Sequence, residues 1–440
     1  MKKLVLAYSG GLDTSYCVKS LSQSGYEVHA VSVNTGGFDE NEIEELSKKA
    51  TSLGAVSYTS IDAVETFYKN VIRYLVFGNV LKNNTYPLSV SAERIVQAVE
   101  IANYAEKIGA TYIAHGSTGA GNDQVRFDLI FQTLAPNVEI ITPIRDQKLS
   151  REAEIEYLKS HGVEMEWSKA QYSVNKGLWG TSVGGKETLE SKEPLPDHAY
   201  PSSLKREDSS PLALHFTKGE LTGINKEKMD PITAIMRLED IASSYAIGRD
   251  IHVGDTIIGI KGRVGFEAAA PLLIIKAHHL LEKHTLSKWQ QFQKEQLGNF
   301  YGMHLHEGHY LDAVLRDIEA FLESTQKTVT GVVHLTLHPY RFTLDGIESP
   351  HDLMDSSFGS YGEMNLNWTS EDAKGFIRVT WKRSIQCSFP KVQKVYCFFR
   401  SYKSNATTMS PPIPIQSKEK NEVSSTVFVD KIVMLLSPIR

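Results

Sequence analysis

The chain has 440 residues, 41% apolar and 22% charged, with 47 Lys and Arg against 52 Asp and Glu for a net charge of −5. That composition suits two or three globular domains with a sizeable core and excludes a disordered, collagen-like or disulfide-stapled chain. The acidic balance gives no electrostatic reason to expect nucleic acid as a partner, no apolar run is long enough for a membrane span, and Cys17, Cys387 and Cys397 form no CxxC pair for zinc or a disulfide.

The start, MKKLVLAYSGG, mimics a signal peptide, but its apolar stretch is short and runs straight into Ser9-Gly10-Gly11, so the chain reads as cytoplasmic. Apolar runs at 4–8, 28–33, 56–61, 112–114 and 138–141 predict five strands. Helical periods lie between them. Asp39 and Glu42 form a capping-box pattern, Ile43, Leu46, Ala50 and Leu53 mark one face, and Gly54 supplies the stop. Ile95, Val99, Ala102 and Ile108 mark another face, with Ser91 as N-cap and Gly109 as stop. Strands separated by helices predict an α/β domain over residues 1–165, a doubly wound parallel sheet joined by crossovers. Ligands bind such sheets at the carboxyl ends of the strands. Three of those ends carry glycine: Gly10-Gly11, Gly36-Gly37 and Gly116.

Residues 166–380 mix hairpin signals, at 214–225 around Lys218-Gly219 and at 329–347, with helical periods at 232–245 and 311–323. They predict a second, α+β domain. Residues 190–210 are polar with three prolines and predict an exposed excursion. Residues 381–440 hold 10 Lys and Arg against three Asp and Glu and are rich in Ser, Thr and Pro. They predict a poorly ordered basic tail, with no amphipathic helix after Thr380 and a β-like or irregular segment at 392–399.

Two segments concentrate chemistry. Ser9-Gly10-Gly11-Leu12-Asp13-Thr14-Ser15 follows a strand and opens a helix. Its glycines let the backbone approach a ligand, and its hydroxyls and helix-start amides present donors to an anion. No Gly-Lys-Ser/Thr is present, so this is not a Walker loop. Asp13 among phosphate-binding groups suggests a Mg²⁺ contact. The second segment runs from His115 to Phe127 (HGSTGAGNDQVRF). It is glycine-spaced and then packs amide, carboxylate and guanidinium together, which suits a ligand with a carboxylate.

The heptapeptide resembles the pyrophosphatase loop of enzymes that cleave ATP between the α and β phosphates. AYSGGLDTS and HGSTGAGNDQVRF together resemble the argininosuccinate synthase family, and the resemblance runs through Tyr86, Ser91, Tyr172-Ser173 and Thr181-Ser182 to about residue 380. It implies an adenine nucleotide alpha hydrolase-like domain followed by a synthetase domain, a cytoplasmic homotetramer, and an ATP-dependent ligase of arginine biosynthesis. The ureido oxygen of citrulline attacks the α-phosphate, and the amine of L-aspartate then displaces AMP. Carried over by position, ATP meets Ala7, Tyr8, Ser9, Gly10, Gly11, Leu12, Asp13, Thr14, Ser15, Val33, Ala114 and Gly116. Thr118, Asn122 and Asp123 match aspartate positions, with Asp123 toward the ammonium. Tyr86, Ser91, Asn122, Arg126, Ser173 and Ser182 match citrulline positions, with Arg126 toward the α-carboxylate. Asp13, Asp123 and Arg126 are the expected catalytic residues, and no resident metal site is expected in the protein itself.

The match fails in places. The family's usual Glu is Gly254 here, its usual Tyr is Phe266, and a frequent Lys is Ala120. An unpaired buried ammonium costs several kcal/mol. One expectation is therefore an acylated amine, as in N-acetyl- or N-succinylcitrulline, with Gly254 making room and Gly184-Gly185-Lys186 meeting the acyl chain. The other is that Asp255 or Glu267 replaces the missing carboxylate. The missing lysine either weakens the attraction for phosphate or is offset by Lys176 or Lys186. His304, His306 and His309 read as a polar interface or helix start rather than a metal site, His278-His279 as packing or an intersubunit contact, Trp289 and Trp368 as core or interface, and Cys17 as buried. A tRNA-modifying adenylating enzyme and a non-catalytic nucleotide-binding protein are the competing functions.

Overall fold

The computed structural model describes residues 2–163, 172–355, 361–363 and 367–388, the last six of them as backbone only. The described residues up to 355 form one compact body, and those from 361 on belong to a separate one.

The first sheet holds β1 (Lys2–Ala7), β2 (Tyr26–Asn34), β3 (Ser57–Asp62), β4 (Tyr112–Ala114) and β5 (Glu139–Ile141). All pairs are parallel and the order is β3-β2-β1-β4-β5. The strand order reverses between β1 and β4, which sets a ligand crevice beyond their carboxyl ends. Around the sheet lie α1 (Leu12–Gln23), α2 (Glu40–Leu53), α3 (Val64–Phe67), a π turn at Tyr68–Ile72, α4 (Arg73–Phe77), α5 (Ser89–Lys107), α6 (Asp123–Leu134), α7 (Pro143–Gln147) and α8 (Arg151–Ser160). The capping box is present: Asp39 accepts from the Glu42 amide and Glu42 from the Asp39 amide, both at 2.9 Å. Gly54 ends α2 at φ 111°, a backbone that glycine alone adopts cheaply. Ser91 is not the cap of α5. Leu88, at φ 63°, precedes the helix, and the Ser91 hydroxyl turns back to the Leu88 carbonyl at 3.2 Å.

Beyond the first sheet come β6 (Ser173–Gly177), β7 (Gly180–Gly184), β8 (Ser210–Thr217), β9 (Glu220–Ile224), β10 (Glu227–Lys228), α9 (Pro231–Ser243), β11 (Arg249–Asp255), β12 (Lys261–Glu267), α10 (Ala269–Thr285), α11 (Lys288–Glu307), α12 (Ala313–Thr325), β13 (Gly331–His338) and β14 (Arg341–Glu348). They build two antiparallel sheets, β11-β12-β7-β6 and β10-β9-β8-β13-β14. The tight β8–β9 turn uses Lys218 at φ 50° and Gly219 at φ 81°, the left-handed pair that a two-residue hairpin needs. The 190–210 excursion is anchored rather than free: Leu195 and Ala199 are buried against Val183. In the second body, α13 (Ser370–Ser388) runs past Thr380, so the expected absence of a helix there is corrected; the later tail features lie outside the described residues.

One hydrophobic core runs from Val5 and Val31 of the first sheet, through α5, to Phe266, Leu273 and Leu335. Within it, Glu282 of α10 is almost fully buried and accepts from Lys294 (2.9 Å), Asn79 (2.6 Å) and Gln326 (3.0 Å), while His278 bridges Asn79 and Gln326. His278 is thus packing, as expected. Trp289 is not core: it is exposed on α11.

Candidate active site

The turn after β1 folds on its own hydroxyls. The Ser9 amide points to Thr14 Oγ1 at 3.4 Å, Ser15 Oγ donates to the Gly11 carbonyl at 2.7 Å, and Gly11 in extended backbone opens α1. Gly10 sits at φ 73°, and a Cβ there would strike Leu46 of α2 at 2.2 Å. Lys49, one turn further along α2, donates to the Gly10 carbonyl at 2.5 Å. Ala7 and Tyr8 are buried at the end of β1, and burial pushes the Tyr8 phenol well above its ordinary range. Asp13 lies half-buried in the first turn of α1. Behind it, burial and then the charge of Asp13 push Glu154 up to about 8. Val33 has its side chain in the core, leaving only its main chain to face a ligand.

The loop after β4 lies directly on this turn. A Cβ on Gly116 would be 3.3 Å from both Asp13 and Thr14. Ala114 is fully buried beneath it. The Ser117 amide donates to His115 Nδ1 at 3.2 Å, so the ring proton sits on Nε2 and goes to Asp128 at 2.9 Å. Arg145 donates to the other Asp128 oxygen at 2.6 Å and lies 3.7 Å from where a Gly119 Cβ would stand. Arg145 thus runs alongside the turn that holds Ala120. Thr118 is exposed at the loop's rim.

At the start of α6, Asn122 Oδ1 accepts from the Ile257 amide at 2.8 Å, which ties the loop to the β11–β12 hairpin. Asp123 is gripped by two guanidinium groups, Arg94 Nε at 3.1 Å and Arg126 Nη1 at 2.8 Å. Burial would raise this carboxyl, but the two arginines outweigh it and hold it below the usual carboxylate range. The groups expected to meet substrate ammonium and carboxylate thus satisfy each other here. Arg94 also donates to Asn175 of β6 at 2.8 Å. Beside it Glu93 is buried with Oε1 unpartnered, and its carboxyl is pushed up to about 8 by burial, against the lowering pull of Arg94.

Gly36-Gly37 does not open toward a ligand. Asn34 Oδ1 accepts from the Gly36 and Gly37 amides, and the β6–β7 hairpin crosses directly above, with the Leu178 amide bonded to the Thr35 carbonyl at 3.0 Å. A Cβ on Gly37 would be 2.2 Å from the Lys176 carbonyl. These glycines admit a chain crossing. The hairpin brings Ser182, buried and paired with Asn175, over α5, while Ser173 is exposed at its start.

Tyr86 is buried, and its hydroxyl accepts from Ser89 (3.2 Å) and the Val90 amide (3.1 Å). Its ring stacks on His252 at 5.3 Å and meets Phe266 at 5.3 Å. The expected room at Gly254 is filled: a Cβ there would be 2.6 Å from His252 Nε2. Gly185 is likewise covered by the Tyr172 ring at 2.5 Å. Of the expected substitute carboxylates, Asp255 pairs with Lys261 and Glu267 with Arg249. Burial, then Lys82, pushes His252 down to about 4.

Arg94, Lys49, Arg145, His252 and His306 were not singled out by sequence reasoning as binding residues. Arg94 carried a signal, since it lies three positions after Ser91 on one helix face. His252 carried none, because its place depends on strands far away in the chain, and His306 stood out only within the His304–His309 segment, read as a polar interface or helix start.

The arginosuccinate synthase N-terminal HUP domain matches residues 3–164, and the arginosuccinate synthase C-terminal domain matches residues 172–385. The chain is 35% identical over 367 residues to the argininosuccinate synthase of Methanocaldococcus jannaschii, covering 82% of this chain and 92% of that one. It is 38% identical to that of Dictyoglomus turgidum, covering 86% and 95%, and 35% identical to that of Pyrococcus furiosus, covering 87% and 93%. With both halves matched in order over the same loops that meet at the switch point, the chain belongs to the argininosuccinate synthase family.

Proposed function

We propose that the chain is the ATP-dependent ligase that joins citrulline and L-aspartate into argininosuccinate, with AMP and pyrophosphate as the other products, in arginine biosynthesis. The observation that supports this reading is the close approach of Gly116 to Asp13 and Thr14, which brings the loop after β4 against the turn after β1. The ureido oxygen attacks the α-phosphorus and the bond to pyrophosphate breaks. The aspartate amine then bonds to the activated carbon, loses a proton, and expels AMP. The amides and hydroxyls from Ser9 to Ser15 hold the triphosphate, Thr118, Asn122 and Asp123 hold aspartate, and Tyr86, Ser91, Arg126, Ser173 and Ser182 hold citrulline with a free amine. Fixed donors and close placement supply the rate. An acylated amine is not favoured, because His252 occupies the space beside Gly254.

Among the described residues no group of three or more His, Cys, Asp or Glu is arranged to hold a metal. Mg²⁺ therefore belongs with the nucleotide's phosphates, and Asp13 is the carboxylate in reach of them. A homotetramer is supported by an outward apolar stripe on α11, made of Trp289, Phe292, Phe300 and Met303. No described helix is long and apolar enough to cross a membrane. Three cysteines without a CxxC pair suit a reducing compartment, and we read the enzyme as cytoplasmic.

The test is pyrophosphate release with each substrate omitted in turn. Release should require ATP and citrulline, and Asp13→Asn should lower it about a hundredfold. Release without citrulline, or full turnover in the variant, refutes the assignment.

A further inference from the structure

His306 lies in the last turn of α11, two residues before a sharp stop. Gly308 takes φ 90°, its amide returns to the Leu305 carbonyl at 3.2 Å, and a Cβ on it would lie 3.3 Å from the Arg126 backbone. The helix end is thereby seated on α6 at Arg126. Two bonds tie the pair: Arg126 Nε donates to the His306 carbonyl at 2.9 Å, and Arg126 Nη2 lies 3.2 Å from His306 Nδ1.

The second bond fixes the tautomer. A guanidinium only donates, so Nδ1 must accept, and the ring proton must be on Nε2. That Nε2–H is buried and has no acceptor among the described residues, in a residue only 6% exposed. The ring is also neutral: burial, then the charges of Arg126 and Lys82, push it down to about 2. A buried donor without an acceptor costs about as much as a lost hydrogen bond, and here it stands in an electropositive corner. Arg126 itself has already committed three of its five N–H groups, to His306 twice and to Asp123 once.

We propose that His306 is a substrate-binding residue whose Nε2–H, together with the two remaining Arg126 N–H groups, holds the α-carboxylate of the ureido amino acid. This rests on the citrulline reading above. His306 supplies the neutral donor and Arg126 the charge. The ring also keeps Arg126 in place, and the two roles separate by substitution. His306→Asn keeps an acceptor near Nδ1 and loses the donor at Nε2. His306→Gln places an amide donor near Nε2.

In steady-state pyrophosphate release, His306→Asn should raise KM for citrulline at least about tenfold, the usual worth of a hydrogen bond to a charged group. KM for ATP should stay within about twofold, and His306→Gln should recover most of the loss. The gap between citrulline and its α-carboxamide should also narrow in His306→Asn. An unmoved citrulline KM in a folded His306→Asn protein overturns the inference. Should neither variant fold, a structure of the wild-type protein with citrulline decides: Nε2 within hydrogen-bond reach of a carboxylate oxygen supports it, and Nε2 facing any other group overturns it. Failure of the parent reading looks different, since wild-type release would then not depend on citrulline at all.

Discussion

A Cβ at position 37 would stand 2.2 Å from the Lys176 carbonyl oxygen, whereas close C···O contacts begin near ~3.3 Å. Gly37→Ala must therefore drive the β6–β7 hairpin outward by about 1 Å. Neither side yields cheaply. Both are main chain, Gly36 next door is held at φ 94° by the Asn34 side chain, and the Leu178 amide is bonded across the gap to Thr35. Overpacking of this kind costs roughly 1–3 kcal/mol, and a strained cross-chain hydrogen bond adds about 1. The hairpin also carries Asn175, the partner of Arg94, and Ser182, so the displacement reaches the amino-acid half of the site. Urea denaturation should show a loss of roughly 2–4 kcal/mol. Turnover with each substrate varied should show KM for citrulline raised about tenfold, the scale expected of a misplacement near 1 Å, with KM for ATP nearly unchanged. Gly346→Ala is the control, since nothing lies within 4 Å of its Cβ position and its φ is ordinary. If Gly37→Ala matches that control in stability and KM, the crossing is not tight and the reasoning is wrong.

Two further outcomes follow from buried charge. Lys294→Met strips the ammonium from Glu282 and should cost about 3–5 kcal/mol, because a buried carboxylate is left uncompensated. In the wild type, burial would raise Glu282 but Lys294 and His278 hold it low, so its contribution is present at neutral pH and lost in acid. In the variant burial prevails, so the deficit by denaturant titration should shrink toward acid pH and should partly recover in Lys294→Met/Glu282→Gln; a pH-independent deficit would contradict this. Glu93 has the opposite sign: with its folded carboxyl raised to about 8, the folded chain keeps a proton that the unfolded chain releases, so stability falls as pH rises from the ordinary glutamate range toward 8. Glu93→Gln should remove that slope, and parallel stability curves for variant and wild type between pH 5 and 8.5 would count against it.

What was legible in the sequence was local. The five parallel strands, the Asp39–Glu42 box with its Gly54 stop, and the Lys218-Gly219 hairpin each depend on residues within a few positions. Gly36-Gly37 was legible as special backbone but not in its purpose, because the chain that crosses it lies about 140 residues away. Ser91 failed as a cap because the helix already begins at Ser89 after Leu88 in the left-handed conformation, which leaves Ser91 inside the first turn with its hydroxyl on the Leu88 carbonyl. The argument for an open Gly254 failed for a similar reason: a glycine in a strand is silent about whether a neighbour two residues earlier folds into its space, as His252 does.

The continuous core has a consequence for how this enzyme can be divided. The two family segments meet between residues 164 and 172, yet Ala92, Ile95 and Ala98 of α5 belong to the same apolar mass as Phe266, Ala269 and Leu273. Severing the chain there would leave each fragment with a raw hydrophobic face and no means of covering it. The two halves are thus obliged to melt, refold and be inherited together, however modular their sequences look.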